Sequence, residues 1–176
     1  SRGLGDVYKR QYYMFNKEKT STKSIYETFY PITKFSDTRI LTGPKGLIQI
    51  QFVIPENKEM HAEKLIQLLI ENNNPILCSL KRLNDGEGLI SFCKNGWTFA
   101  IDFSYKNFNR KNLDKFYKSL IALGGHVYLA KDFLLDKDSF NSMYTNVEQW
   151  KKIVKYYDPK NQFQSDLSHR LGMKNW

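Results

Sequence analysis

Lys131 stands next to last in the run Gly124-Gly-His-Val-Tyr-Leu-Ala-Lys-Asp132 and is the residue best placed in this sequence to do chemistry. Gly124 and Gly125 follow a periodic apolar segment and can take the positive φ that ends a helix. His126 to Ala130 then reads as a strand, which leaves Lys131 as a cation on a rigid mount, suited to meeting an anionic group. On position alone, a solvated surface lysine is the commoner outcome. Other chemistries find little support. There is no Ser/His/Asp order, no Gly-rich phosphate loop and no pair of carboxylates on one element. Cys78 and Cys93 make no CxxC or Cys/His cluster and the three histidines are far apart, so no metal site is expected. His126 and His169, each isolated, read as structural rather than catalytic.

The elements that must position Lys131 follow from periodicity. Behind the turn Gly43-Pro44-Lys45-Gly46, residues Leu47 to Ile54 alternate with period two. Ile48, Ile50, Phe52 and Ile54 share one face of that strand, and Gln49 and Gln51 share the other with Val53. Pro55 ends it. Asn57 to Asn73 carries Met60, Leu65, Leu68 and Leu69 at helical spacing. A second strand, Ile76 to Leu83, puts Ser79 and Lys81 together and Cys78 with Leu80 opposite. A third, Trp97 to Phe103, puts Trp97, Phe99, Ile101 and Phe103 on one face and Thr98, Ala100 and Asp102 on the other. Asn109 is expected to cap a helix striped by Leu113, Phe116, Tyr117, Leu120 and Leu123, which stops at Gly124.

Strand, helix, strand, strand, helix, strand is the order of a ferredoxin-like βαββαβ fold: α+β, an antiparallel sheet with both helices on one face. The first and third strands are central neighbours in it. The face carrying Gln49, Gln51, Thr98, Ala100 and Asp102 is then a contiguous polar patch, expected to stand open until something covers it. Beyond Asp132 a helical C-terminal tail is predicted: Asp138 to Tyr144, then Val147 to Tyr157, with Asn146 and Gln149 at capping-box spacing and a stripe of Trp150, Ile153, Val154 and Tyr157. A last helix runs from Ser165 through Leu171. Upstream, Asn16 to Ser24 reads as a polar loop, and Ile25 to Phe35 as an extended segment on the domain edge, because Pro31 excludes a regular central strand.

At 176 residues the chain has room for one well-formed core. Aromatics at 15% argue against disorder, and a net charge of +9 favours an acidic partner: phosphate, nucleic acid or an anionic membrane surface. Ser1 to Gln11 resembles the translated adaptor sequence found at the ends of metagenomic reading frames, so it is expected to be foreign to the fold. The natural protein is then expected to continue upstream of about Tyr12, unless Met14 is a true start.

Several runs together carry a family resemblance. Phe29-Tyr30-Pro31, Gly46-Leu-Ile-Gln-Ile-Gln-Phe-Val-Ile-Pro55, Leu80-Lys81, Gly96-Trp97 with Asp102-Phe103, and the run ending at Asp132 resemble the decaprenylphosphoryl-β-D-ribose oxidase group of FAD-linked oxidoreductases. So do Met143-Tyr144, Trp150, Asp158-Pro159, Phe163, Ser165-Asp166 and Arg170-Leu171. The resemblance implies a flavoprotein of the vanillyl-alcohol-oxidase type. Residues 12–176 would be its substrate-capping domain with the C-terminal tail, and the N-terminal FAD-binding domain would lie outside this chain, which alone should neither hold FAD nor turn over. Lys131 is similar to the group's essential lysine at flavin and substrate, where a cation beside N1 and the C2 carbonyl stabilises charge as hydride reaches N5. Gln49, Gln51, Lys81 and Tyr128 are similar to its pocket-lining positions, Tyr128 also facing the cofactor. Thr98 and Ala100 stand where asparagine or cysteine is common, and Phe29 where tyrosine is common, which bears on the exact substrate.

The implied reaction is oxidation of a sugar hydroxyl to a ketone, on a polyprenyl-phosphate-linked pentose, with a separate short-chain reductase completing a ribose to arabinose epimerisation for cell-wall or surface polysaccharide. The location implied is cytoplasmic or peripheral to a membrane. An aldonolactone oxidase shares the two-domain plan, but its His-Trp-x-Lys motif is missing here. An RNA-binding module has the same element order and a suitable charge. It would need Trp97 and Phe99 on the open face, which forces Asp102 into the core unpaired, so no nucleic-acid partner is expected.

Overall fold

The computed structural model describes residues 22–26 and 45–174. The chain divides into two compact units, Ser1–Thr38 and Arg39–Trp176, each taken by itself. In the first, only 22–26 are described, with exposed Ile25 and Tyr26 in a helical turn. The expected extended segment through Phe35, and Phe29 with it, lie outside the described residues.

The second unit holds a four-stranded antiparallel sheet in the order β2-β3-β1-β4. Its strands are β1 (Leu47–Pro55), β2 (Pro75–Leu83), β3 (Gly96–Ser104) and β4 (His126–Val127). Helices α1 (Ala62–Ile70) and α2 (Leu113–Ala122) complete the βαββαβ order, and the α+β expectation holds. β1 and β3 pair along their whole lengths, with Gln49 opposite Asp102, Gln51 opposite Ala100 and Phe52 opposite Phe99. The isoleucine face of β1 and the aromatic face of β3 meet the helices, as the alternation predicts. Phe52 lies on Phe99 with centroids 5.4 Å apart and edge-on to Phe116 at 5.0 Å, and Leu65, Leu69, Leu113 and Leu120 close the core around them. Burying a phenylalanine in such a cluster contributes about 1.5–3 kcal/mol.

α2 stops as its sequence says. Gly124 adopts φ +72°, its N–H donates to Ile121 O, and Gly125 N–H donates to Leu120 O at 2.9 Å, the paired bonds of a Schellman end. A Cβ on Gly125 would fall 2.5 Å from Val53 O, so glycine there lets helix and sheet approach. At Gly124 the space is open and the backbone angle is the constraint. Gly124→Ala is therefore expected to cost about 1–2 kcal/mol, the left-handed penalty of an L-residue. Urea denaturation reads this directly, and an unchanged midpoint would refute it.

Local signals misplace several boundaries. A 3-10 turn, Glu59–His61, precedes α1, leaving Met60 exposed rather than in the stripe. Asn109 does not cap α2: its side chain accepts from Lys111 N–H at 2.9 Å, and its N–H donates to Asn73 Oδ1 at 2.7 Å, tying the α2 approach to the end of α1. The predicted strand His126 to Ala130 shortens to two residues, because Tyr128 N–H makes its last bond to β1 at Gln51 O and Leu129–Lys131 turns as a 3-10 helix.

The tail forms α3 (Lys137–Met143), α4 (Val147–Tyr157) and α5 (Asp166–Arg170). Asp136 caps α3, and Ser165 with Ser168 forms a capping box on α5. Asn146 makes no side-chain cap on α4, since its ψ of 13° departs from the extended geometry a cap needs. The α4 stripe packs little: Val147 is the helix's buried residue, while Ile153 and Tyr157 are exposed.

Candidate active site

Most of the residues singled out from sequence, Gln49, Gln51, Lys81, Thr98 and Ala100, lie along one face of the sheet. Register carries this: Leu77, Ser79 and Lys81 of β2 stand opposite Asp102, Ala100 and Thr98 of β3, and Asp102 and Ala100 stand opposite Gln49 and Gln51 of β1. Directly opposed residues project to the same side. Tyr128 extends the row, since its backbone bonds Gln51 O at 2.8 Å, and Lys131 follows one turn later, its N–H on Tyr128 O at 3.0 Å. Lys131 is exposed, and no described residue gives its ammonium a hydrogen bond or ion pair. Lys81 is likewise exposed, on the outer strand.

The face is less open than its polarity suggests. Thr98, Ala100 and Asp102 are 2%, 8% and 8% exposed, and the Thr98 hydroxyl and Asp102 Oδ1 are bonded within the sheet. Gln49 Nε2 donates to Asp102 Oδ1 at 2.5 Å, Gln51 Nε2 donates to Thr98 Oγ1 at 3.1 Å, and the Thr98 hydroxyl donates to Phe52 O at 3.0 Å. A polar face two strands wide can bond to itself, and alternation cannot reveal that. The exposed polar groups are thus Lys131, Lys81 and Ser79, with Gln49, Gln51 and Tyr128 partly exposed. Each glutamine donates one N–H inward, which orients its amide and leaves the carbonyl oxygen and second N–H for a ligand.

Lys131 is held by contacts that a single sequence does not announce. The Asp132 carboxylate, 2% exposed, accepts from Leu134 N–H and Leu135 N–H at about 3.2 Å and from Arg170 Nη1 at 3.1 Å. Arg170 also donates to Asp132 O and Leu135 O. The last helix thereby clamps the turn that presents Lys131. Asp132 and Arg170 were part of the family resemblance, but only the fold pairs them. Further along, Asp158 accepts from Gln162 N–H, Phe163 N–H and Lys174 Nζ, and the Lys174 bond is the main cause holding its carboxyl below the usual range.

His126 has a structural place, as expected. It is half-buried, its Nδ1 lies 2.9 Å from Ser91 O, and its ring packs 4.5 Å from Tyr144, whose hydroxyl donates to Val127 O at 2.6 Å. The same loop brings Phe92 within 4.8 Å of Tyr128. Burial first, then the charge of Lys94, lowers the His126 pKa to about 4 from 6.5. The folded state thus resists protonation, and between pH 6.5 and about 4 the unfolded chain binds the extra proton. Stability contributed by neutral His126 is present above pH 6.5 and lost as pH falls towards 4. His126→Gln is expected to flatten that part of the stability profile, and an unchanged slope would overturn the assignment. The Cys78 thiol is pushed up, by burial and then by Asp102, so it is no thiolate nucleophile at neutral pH. Among the described residues no cluster of three or more His, Cys, Asp or Glu could hold a metal ion.

The polar face of this ferredoxin-like sheet thus bears Lys81 and two oriented amides, with Lys131 in the turn that follows β4. Comparison with known proteins gives that surface its relatives. The D-arabinono-1,4-lactone oxidase family matches residues 87–171. Decaprenylphosphoryl-β-D-ribose oxidase of Mycolicibacterium smegmatis is 25% identical over 157 residues, which is 88% of this chain and 34% of that protein. An uncharacterized protein in the mprA 5′ region of Streptomyces coelicolor is 30% identical over 96 residues, 53% of this chain and 26% of that one. The similarity to decaprenylphosphoryl-β-D-ribose oxidase is the one its motifs indicated, and the chain spans about a third of the length of that protein.

Proposed function

We propose that this chain is the substrate-capping part of an FAD-linked oxidoreductase that oxidises a sugar hydroxyl to a ketone, with a polyprenyl-phosphate-linked pentose as substrate. The observation that carries the reading is similarity to decaprenylphosphoryl-β-D-ribose oxidase across 88% of the chain, with Gln49, Gln51 and Lys81 on one sheet face and Tyr128 and Lys131 in the segment that follows β4. The residues fit a group that gains negative charge, because Lys131 is an exposed ammonium with no carboxylate partner among the described residues. FAD, when bound, supplies the acceptor for the hydride that leaves the sugar carbon.

This chain's own residues then bind and orient. Lys131 places a fixed positive charge where negative charge develops, worth most once water is excluded. The free carbonyl oxygens of Gln49 and Gln51 accept from sugar hydroxyls, and their bonds to Asp102 and Thr98 keep them from rotating away. Tyr128 follows β4 beside Gln51 and precedes Lys131, where its ring can pack against a bound sugar. Lys81, at the outer strand, suits the phosphate of an anionic substrate as a point charge. The FAD-binding portion belongs outside this chain, so the chain alone is not expected to turn over. A separate short-chain reductase would complete the epimerisation, and a polyprenyl substrate would bring the enzyme to a membrane surface as a peripheral protein. No helix among the described residues is long and apolar enough to cross one.

The match of residues 87–171 to the lactone oxidase family supports a second reading, oxidation of an aldonolactone. One experiment separates them. The full-length protein that carries this chain is given a polyprenylphosphoryl pentose or an aldonolactone without oxygen, and bleaching of flavin absorbance is followed. Bleaching by the phosphoryl pentose is expected; bleaching by the lactone alone would replace the first reading with the second.

A further inference from the structure

β2 is the outer strand of the sheet, and it is uncovered on both sides. From Leu77 to Leu83 it pairs, among the described residues, with β3 alone, and no described residue bonds the backbone N–H and C=O groups of its other edge. Leu77, on the face shared with Gln49 and Lys81, is 62% exposed, and Leu80, on the helix face opposite Phe99, is 55% exposed. α1 and α2 close the core over the central strands but leave these two leucines in water. Soluble proteins blunt such edges with short strands, charges or bulges. Here a bulge between Pro75 and Leu77 blunts the start and Lys81 with Arg82 the end, which leaves the stretch from Leu77 to Leu80 uncharged, with leucine on both faces.

We infer that the free edge of β2 pairs with a further β-strand, supplied by the part of the full-length protein that lies outside this chain. The inference rests on the reading above, in which the intact enzyme is longer, and on the fact that the chain spans 34% of its 25% identical relative. The added strand would cover Leu77 and Leu80 from its two faces. On the Leu77 side it would also stand next to Ser79 and Lys81, so the substrate surface gains a wall beyond Lys81 that this chain does not contain. A second copy is a poorer occupant, because each chain carries +9 and two copies repel. β-augmentation needs no side-chain complementarity beyond the two leucines, since most of its recognition is backbone hydrogen bonding.

The test is residue-resolved hydrogen exchange on the full-length protein and on this chain alone. In an edge strand every second amide points outward, unbonded. In the chain alone, alternate amides of Leu77–Leu83 should exchange freely. In the full-length protein all of them should be protected, the outward set slowing by about tenfold or more, as for amides that open only with their element. The β1 and β3 amides serve as reference in both. Alternate fast exchange persisting in the full-length protein would overturn the inference, as would protection in the isolated chain that rises with its concentration. Exchange does not depend on turnover, so an enzyme that oxidises neither substrate class would sink the functional reading while leaving the pairing to be judged by its amides.

Discussion

Replacing Lys131 with methionine in the full-length protein is expected to slow sugar oxidation by at least about 10²–10³-fold, the effect of removing one preorganised stabilising group. Methionine keeps much of the apolar stem and removes the charge. Because the Lys131 ammonium is exposed and unpartnered among the described residues, the fold loses nothing that it uses, and melting should stay within the about ±0.5 kcal/mol of ordinary surface changes. Arginine at the same position keeps the charge but spreads it over a plane, and should restore only part of the rate. Wild-type rates of flavin bleaching in Lys131→Met would remove Lys131 from the chemistry. A large fall in melting temperature would instead make it a structural residue.

The second large effect is on stability. Asp132→Ala is expected to cost about 3–5 kcal/mol, because it strips the counterion from a partly buried arginine and orphans the Leu134 and Leu135 N–H groups. A double-mutant cycle apportions the loss. Adding Arg170→Met to Asp132→Ala should cost much less than Arg170→Met in the wild type, since the two residues act as one clamp. Asp132→Ala should also slow oxidation in the full-length protein at temperatures where it remains folded, because the turn presenting Lys131 loses its anchor. A cost below about 1 kcal/mol, within the span of a single ordinary hydrogen bond, would show that the clamp does not hold the turn.

The strand alternation was legible because it is local. Ile48, Ile50, Phe52 and Ile54 face the helices, and Gln49 and Gln51 face away, wherever the strand goes, and the third strand's faces follow by the same rule. Gly124-Gly125 was legible too, since a positive φ after an apolar helix has few other uses. These features select the βαββαβ order and with it the central pairing of β1 and β3, which puts the glutamines beside Asp102 and Ala100.

Other features depend on distant parts of the chain. The strand expected to reach Ala130 ends at Val127, and the turn behind it is held by Arg170, a partner 38 residues from Asp132 that no periodicity connects to it. The polar face predicted to stand open is instead bonded to itself, because whether Asp102 and Thr98 meet water or glutamine is set by cross-strand register. The stripe on α4 marks an apolar side without saying what it meets, and Ile153 and Tyr157 lie exposed. Sequence by itself determined which residues share a face, because backbone geometry fixes side-chain direction over a few residues. Tertiary structure alone decided which of those faces are satisfied, clamped or left free, because each outcome depends on a partner brought in from elsewhere in the chain.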